Sequence, residues 1–549
     1  MKYLMLVLFA GCFSLSQAQD TVVSKADVIG AAKLFDIQFT QKEIDTLYSD
    51  VIDNIANYKA MHKLSLPNSV GLSTWQLATP VPANRKNTVV ELPLTKIELP
   101  KNKNDLAFYD ISQLAYLIKN KKITSLALTQ FFIERIKKFG DTLECVISIQ
   151  EDIAYAQAKK ADEELAKGKY RGLLHGIPYG LKDLFAVKGT KTTWGAAPYK
   201  NQIIDEDAFV YTQLKNAGAV LVAKFTLGAL AMGDYWYGGR TKNPWNLKYG
   251  SSGSSAGSTA ATVAGLVPFA IGTETYGSIV SPSTQCGATG LRPTFGSISR
   301  TGAMALSYSL DKVGPICRSA NDAAIVFNYI HGTDGKDLSA FNTPFNYQAI
   351  KDVKKLRIAY AKNYFDKIKD TTKNDWKVLA TLKKLGVELI PVDFPDSGVY
   401  HFNIMDVVIG AECGAQFDEM TRLNIDDELT RQTKYDWPNQ FRTARFVPAI
   451  EYINAQRHRT VLMQKVNEVI KKYDVIICPS RGPAGNQTAI TNLTGHPVVC
   501  MPTGFDSKSD LPTGITFVGN FYDEGTILQI AKLYQDNSQW NKKHPTLFN

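Results

Sequence analysis

Residues 250–293, GSSGSSAGSTAATVAGLVPFAIGTETYGSIVSPSTQCGATGLRP, constrain this chain more than any other segment. They hold eight of its 39 glycines and eight serines, well above average glycine usage. Glycine lets backbone approach a ligand closely or take positive φ. Serine supplies hydroxyls as turn formers or as nucleophiles. Linkers share this composition, but a linker does not contain AATVAGLVPFAIG, an apolar run suited to a buried helix end and strand. The segment reads as an active-site floor: a Gly/Ser loop, a small-residue helix, an apolar strand, and a tight turn presenting Ser278.

The rest of the chain alternates helical and strand patterns. Thr40-Gln41-Lys42-Glu43 is a capping box opening a helix with Ile44, Leu47, Val51, Ile55 and Tyr58 at helical spacing. Residues 67–100 are proline-containing and extended, a tether rather than a domain. Asp110 caps one helix and Thr124 caps another that ends at Gly140. AVLVAKF, VIICP, PVVCMP and GITFVG read as buried strands, and a closing helix spans about Gly525 to Tyr534. This alternation predicts an α/β fold whose sheet is covered by helices. The expected organisation is a leader over 1–18, a helical extension and tether over 19–105, and one large domain over 106–549.

Lys2, the apolar stretch Leu4 to Ser14 and the small-x-small site Ser16-Gln17-Ala18 predict a secretory signal, so the protein is expected to be exported. A lipid anchor at Cys12 is the rival reading, weakened by Phe9 three residues earlier. The leader is too short for a membrane span, so no transmembrane span is expected in the mature chain. The remaining six cysteines are widely spaced and read as buried small residues rather than as a disulfide framework or a zinc site. The net charge of +10 is mild for 549 residues, and no basic tract interleaves with aromatics. Nucleic acid is therefore not expected as a partner. The sequence has no G-x-x-x-x-G-K-[ST], no H-E-x-x-H and no paired C-x-x-C, so neither cofactor nor metal is indicated.

An acyl-transfer serine needs a proton acceptor and backbone N–H groups aimed at the developing oxyanion. The turn after the apolar strand offers the N–H groups of Thr275, Tyr276, Gly277 and Ser278. The same residues also suit an ordinary turn. The seven histidines are scattered and none lies in a triad setting. Lys182, in the apolar segment GLLHGIPYGLKDLF, is the stronger base: an apolar site disfavours the ammonium and lowers its pKa. A lysine that snorkels or pairs with an acid is the bland alternative. Gly253-Ser254-Ser255-Ala256-Gly257 matches the G-x-S-x-G elbow, which has to follow a strand, yet NLKYGSS is turn-like. Ser309-Leu310-Asp311-Lys312 matches S-x-x-K, a pattern common by chance. Trp194, Tyr235, Trp236 and Tyr237 are candidates for the mouth of the site, with plain packing the alternative.

Taken together, these residues resemble the amidase signature family of serine hydrolases. The family pattern GGSSGGS…GTDxGGSIRxPAxxCGxxGLKPT is met by SGSSAGS…GTETYGSIVSPSTQCGATGLRPT. HGIPYGLKD, TKNPWNL, SLDKVGP, DVIICP, NLTGHPVVCMPTGF and LPTGITFVG extend the likeness over roughly residues 106–540. The resemblance implies a large mixed, twisted sheet covered by helices on both faces. It implies a Ser–cis-Ser–Lys triad at Ser278, Ser254 and Lys182, with a cis Gly253–Ser254 peptide, and hydrolysis of a small-molecule or peptide amide through an acyl-serine. A homodimer is left open. The rivals are the glutaminase subunit of a tRNA-dependent amidotransferase, which the leader argues against, and an inactive amide-binding protein. Departures fall at Ser252, Ala256, Glu274, Tyr276, Val280 and Ser283. Tyr276 is the most serious, because a tyrosine forced to positive φ is strained.

Overall fold

The structure, a computed structural model, describes residues 23–63, 88–89, 92–347, 352–396, 402–480 and 486–549. The leader, Cys12, His401 and most of the 67–100 tether lie outside the described residues.

One mixed sheet of eleven strands organises the molecule. In spatial order it runs Leu389–Val392, Ile358–Ala361, Val475–Pro479, Pro512–Gly519, Val498–Phe505, Thr289–Arg292, Lys312–Cys317, Ala270–Glu274, Pro178–Lys182, Val220–Phe225 and Val146–Ile149. Helices lie between most of these strands in the chain, and the central strands are buried along nearly their whole length. Val220–Phe225 and Val475–Pro479 are buried at every position, matching the runs AVLVAKF and VIICP.

The three helix caps read from the sequence are formed. Thr40 and Asp110 each form a capping box, and the Thr124 side chain accepts the Ala127 N–H. The helix expected to stop at Gly140 instead runs to Leu143 and ends at Glu144, which takes the left-handed conformation itself. Gly140 lies inside the helix, where a Cβ would meet Val146 Cγ2 at 2.8 Å, so the glycine serves close packing rather than the helix end.

The helix Gln41–His62 packs on helices from the second half of the chain, and Lys25–Leu34 packs on Gln41–His62. Tyr58 and Met61 join a buried cluster with Met405, Val408, Ala455 and Leu462. Glu43 pairs with Arg442 at 2.8 Å and Asp50 with Lys434 at 3.1 Å. Thr88–Val89 pairs in parallel with Asn346–Tyr347. Among the described residues no helix is long and apolar enough to cross a membrane.

Candidate active site

The site forms where Ala270–Glu274 lies beside Pro178–Lys182. These strands are parallel, with Gly180 opposite Ala270 and Leu181 opposite Ile271, so their C-terminal ends emerge together. Lys182 ends one strand, and Thr273 is the penultimate residue of the other. Lys182 is fully buried. Its Nζ lies 2.8 Å from Ser254 Oγ, 2.8 Å from Thr273 Oγ1 and 3.4 Å from Thr273 O. Burial pulls its pKa from 10.5 down to about 7, against Asp311 and Glu274, whose charges favour the ammonium. A neutral amine has two N–H groups and a lone pair. With both hydrogens given to Thr273, the lone pair is left for the Ser254 hydroxyl.

Ser254 follows a cis Gly253–Ser254 peptide. Gly253 is pressed against Gly233, where a Cβ would meet the carbonyl oxygen at 1.8 Å. The next residue, Ser255, joins this loop to the turn ahead, its N–H donating to Ser278 O at 3.1 Å. Ser255 Oγ donates to Thr273 O at 3.1 Å and accepts the Thr273 N–H at 3.2 Å. Its hydroxyl is thus committed to backbone, and no strand precedes it, so the G-x-S-x-G match is not an elbow. The S-x-x-K match does not form a pair either: Ser309 Oγ donates to Glu412, while Lys312 Nζ donates to Leu310 O.

Ser278 lies in the turn between Glu274 and the helix Val280–Cys286 and keeps 8% of its surface exposed. Thr275 is buried, Tyr276 is 48% exposed, and Gly277 has φ +89°. The positive φ thus falls on Gly277, not on Tyr276. Tyr276 therefore occupies its position without left-handed strain, its ring turned partly to solvent.

Glu274, the family's Asp, explains how the turn is held. One carboxylate oxygen accepts the N–H groups of Ile279 (2.8 Å) and Val280 (2.9 Å), at the start of the helix after Ser278. The other accepts from Arg292 Nη1 and Asn492 Nδ2, both at 2.8 Å. Burial alone raises its pKa, but the Arg292 charge and these hydrogen bonds outweigh it and bring it to about 2. On the other side of the turn, Thr275 Oγ1 donates to Asp311 Oδ1 at 2.5 Å. Burial pushes the Asp311 pKa up.

A cavity of ≈ 210 Å³ opens against Thr273 and Thr275, with Leu184, Met304, Leu306 and Asp311 among its walls. None of the four aromatic candidates lines this cavity. Trp194 packs on Tyr199 with centroids 4.7 Å apart, Trp236 donates to Glu144 O at 3.1 Å, and Tyr235 lies under the Arg431 guanidinium at 4.3 Å. The Tyr237 N–H donates to Gly195 O at 3.1 Å. Thr273 and Asp311 join the site without having been singled out by the sequence, though both lie in quoted segments, GTET and SLDK.

A family profile described as Amidase matches residues 127–528. Among curated relatives, a glutamyl-tRNA(Gln) amidotransferase subunit of Coxiella burnetii is 33% identical over 482 residues, 80% of this chain and 99% of that protein. Among solved structures, the native peptide amidase from Stenotrophomonas maltophilia superposes with a TM-score of 0.68 at 26% identity, covering 79% of this chain and 98% of its own. The corresponding glutamyl-tRNA(Gln) amidotransferase subunit from Thermotoga maritima gives 0.65 at 26% identity, covering 80% and 98%. With an eleven-stranded mixed α/β sheet, a match across most of its length and relatives of this kind, the chain belongs to the amidase family of enzymes.

Proposed function

We propose that the protein hydrolyses a carboxylic amide through an acyl-serine on Ser278. Ser278 Oγ attacks the carbonyl carbon and passes its proton to Ser254 Oγ, whose own proton goes to the Lys182 lone pair. The N–H groups of the Thr275–Ser278 turn receive the oxyanion. The tetrahedral intermediate collapses as the C–N bond breaks, and the leaving amine takes a proton from Ser254, resupplied by Lys182. Water then repeats the sequence and releases the acid. The observation that carries this reading is the buried Lys182 Nζ, 2.8 Å from Ser254 Oγ, with a pKa near neutrality. These steps call on no cofactor. The test is acid and ammonia or amine release from a panel of carboxamides and peptide amides. Wild type is expected to turn over at least one, and Ser278→Ala none. Equal release by both proteins contradicts the assignment.

A second reading, the glutaminase subunit of a tRNA-dependent amidotransferase, is favoured by the curated relatives named for that role. Residues 1–18 weigh against it: read as a leader, they make the protein exported, away from a cytosolic complex. Cell fractionation separates the two, since an exported amidase is found outside the cytosol with its chain starting at Gln19.

A further inference from the structure

The loop 306–310 connects the turn that carries Ser278 to helices far along the chain. We propose that Glu412, on the helix Ile404–Gln416, is a positioning residue for the oxyanion turn and acts through this loop. The inference rests on the amide-hydrolase reading above.

Glu412 is buried, and five donors converge on its carboxylate. Oε2 accepts from Ser307 Oγ and from the Ser309 N–H at 3.0 Å. Oε1 accepts from Ser309 Oγ at 2.6 Å, Tyr452 OH at 2.8 Å and Gln456 Nε2 at 3.0 Å. Arg459, on the same helix as Tyr452 and Gln456, donates to Ser309 Oγ at 2.7 Å and Ser309 O at 2.8 Å. A buried acid and a buried guanidinium from two helices therefore grip one short loop.

The other side of the loop closes on the active site. The N–H groups of Leu306 (2.7 Å) and Ser307 (3.0 Å) donate to Asp311 Oδ2, and Asp311 Oδ1 receives the Thr275 hydroxyl. Ser307 thus donates its side chain to Glu412 and its backbone to Asp311. A shift of Ser307 reaches Thr275 through a single carboxylate, and Thr275 is the first residue of the oxyanion turn. Leu306 and Asp311 also wall the cavity. Glu412→Gln keeps the side-chain shape but replaces one acceptor oxygen by an NH₂ group. Whichever oxygen is replaced, one N–H donor, Ser309 N–H at Oε2 or Gln456 Nε2 at Oε1, then faces another donor, the hydroxyls have to turn to accept, and the grip on the loop weakens on its helical side.

The test is the second-order rate at which a fluorophosphonate labels Ser278. The reaction forms the Ser278 O–P bond and expels fluoride, uses the same turn, and needs no knowledge of the natural amide. Wild type, Glu412→Gln, Thr275→Val and the double variant are compared, with each rate referred to the folded fraction. Glu412→Gln is expected to slow labelling about tenfold, in line with the sensitivity of such sites to small displacements. In the Thr275→Val background the same change is expected to cost less than about twofold, because both act on one connection. A merely structural role predicts independent, multiplicative effects, and that result overturns the proposal. Should Glu412→Gln fail to fold, Ser307→Ala replaces it with the same expectation of non-additivity. A labelled wild type with an equally reactive Glu412→Gln overturns this inference alone. A wild type that takes no label at Ser278 contradicts the nucleophile assignment and this inference with it.

Discussion

Glu274 and Arg292 form a fully buried ion pair at 2.8 Å, and the other oxygen of that carboxylate receives the two N–H groups that follow Ser278. The pair therefore ties the sheet to the turn that carries Ser278, the proposed nucleophile. Removing one partner of such a pair leaves a buried charge uncompensated, which typically costs about 3–5 kcal/mol. Glu274→Gln is expected to lose stability on that scale and to label slowly at Ser278, as read by urea unfolding and probe kinetics. The sign of the pH dependence follows from a pKa lowered from 4.5 to about 2. Above 4.5 the stabilisation is complete, and it is lost as pH falls from 4.5 toward 2. Glu274→Gln should flatten that part of the stability profile; an unchanged profile contradicts the role given to the pair.

In the proposed mechanism, burying Lys182 is a cost in stability accepted for function. Its pKa is about 7 in the fold, against 10.5 for a solvated lysine. Between those values the unfolded chain binds more protons than the native one, so stability rises with pH across that window. Below about 7 the penalty is complete. Lys182→Met removes it, and at pH 7 the variant is expected to gain on the order of a few kcal/mol. Labelling of Ser278 should fall by at least about a thousandfold for loss of the base. Thermal unfolding and probe kinetics on one preparation check both. A variant that is less stable and still reactive contradicts the reading.

The same pKa sets the pH dependence of turnover. Under the proposed mechanism the neutral amine is the active form, so kcat/KM should rise about tenfold per pH unit below about 7 and level off above it. Thr273→Val removes the hydroxyl acceptor at 2.8 Å, which favours the ammonium. Its acid limb should therefore move to lower pH, with a reduced plateau. Movement to higher pH contradicts the account of how Thr273 acts on Lys182.

Tyr276 and Gly277 should respond in opposite ways to substitution. Gly277 holds φ +89°, and a Cβ there would lie 2.8 Å from Ser281 Oγ. Gly277→Ala is expected to cost about 1–2 kcal/mol of stability and to slow acylation. Tyr276 is half-exposed and free of left-handed strain. Tyr276→Gly should keep Ser278 reactive and change which amides are accepted. A dead Tyr276→Gly alongside a normal Gly277→Ala reverses the assignment of the turn's critical residue.

The sheet and the floor of the site are legible in the sequence because both are written in short-range patterns. VLVAKF and VIICP are apolar runs that only a covered strand can bury, and Thr40, Asp110 and Thr124 carry their caps within three residues. Lys182 is legible as a polar group in an apolar segment. Other features depend on contacts between distant residues. Glu274 with Asn492, or Glu412 with Ser307, joins positions more than a hundred residues apart, and no local pattern marks either pair. The strain expected at Tyr276 comes from a pattern that gives residue types without φ values, and the structure moves the demand for glycine one position along. The end of the helix at Glu144 escapes the sequence for a related reason: close packing by Val146 requires glycine at 140 without ending the helix there.

The most direct measurement is peptide mass mapping after fluorophosphonate treatment of wild type and Lys182→Met. One adduct, on Ser278, is expected in wild type and almost none in Lys182→Met at equal folded concentration. An adduct on Ser255, or equal labelling of Ser278 in both proteins, contradicts the claim that a buried lysine drives this serine through Ser254.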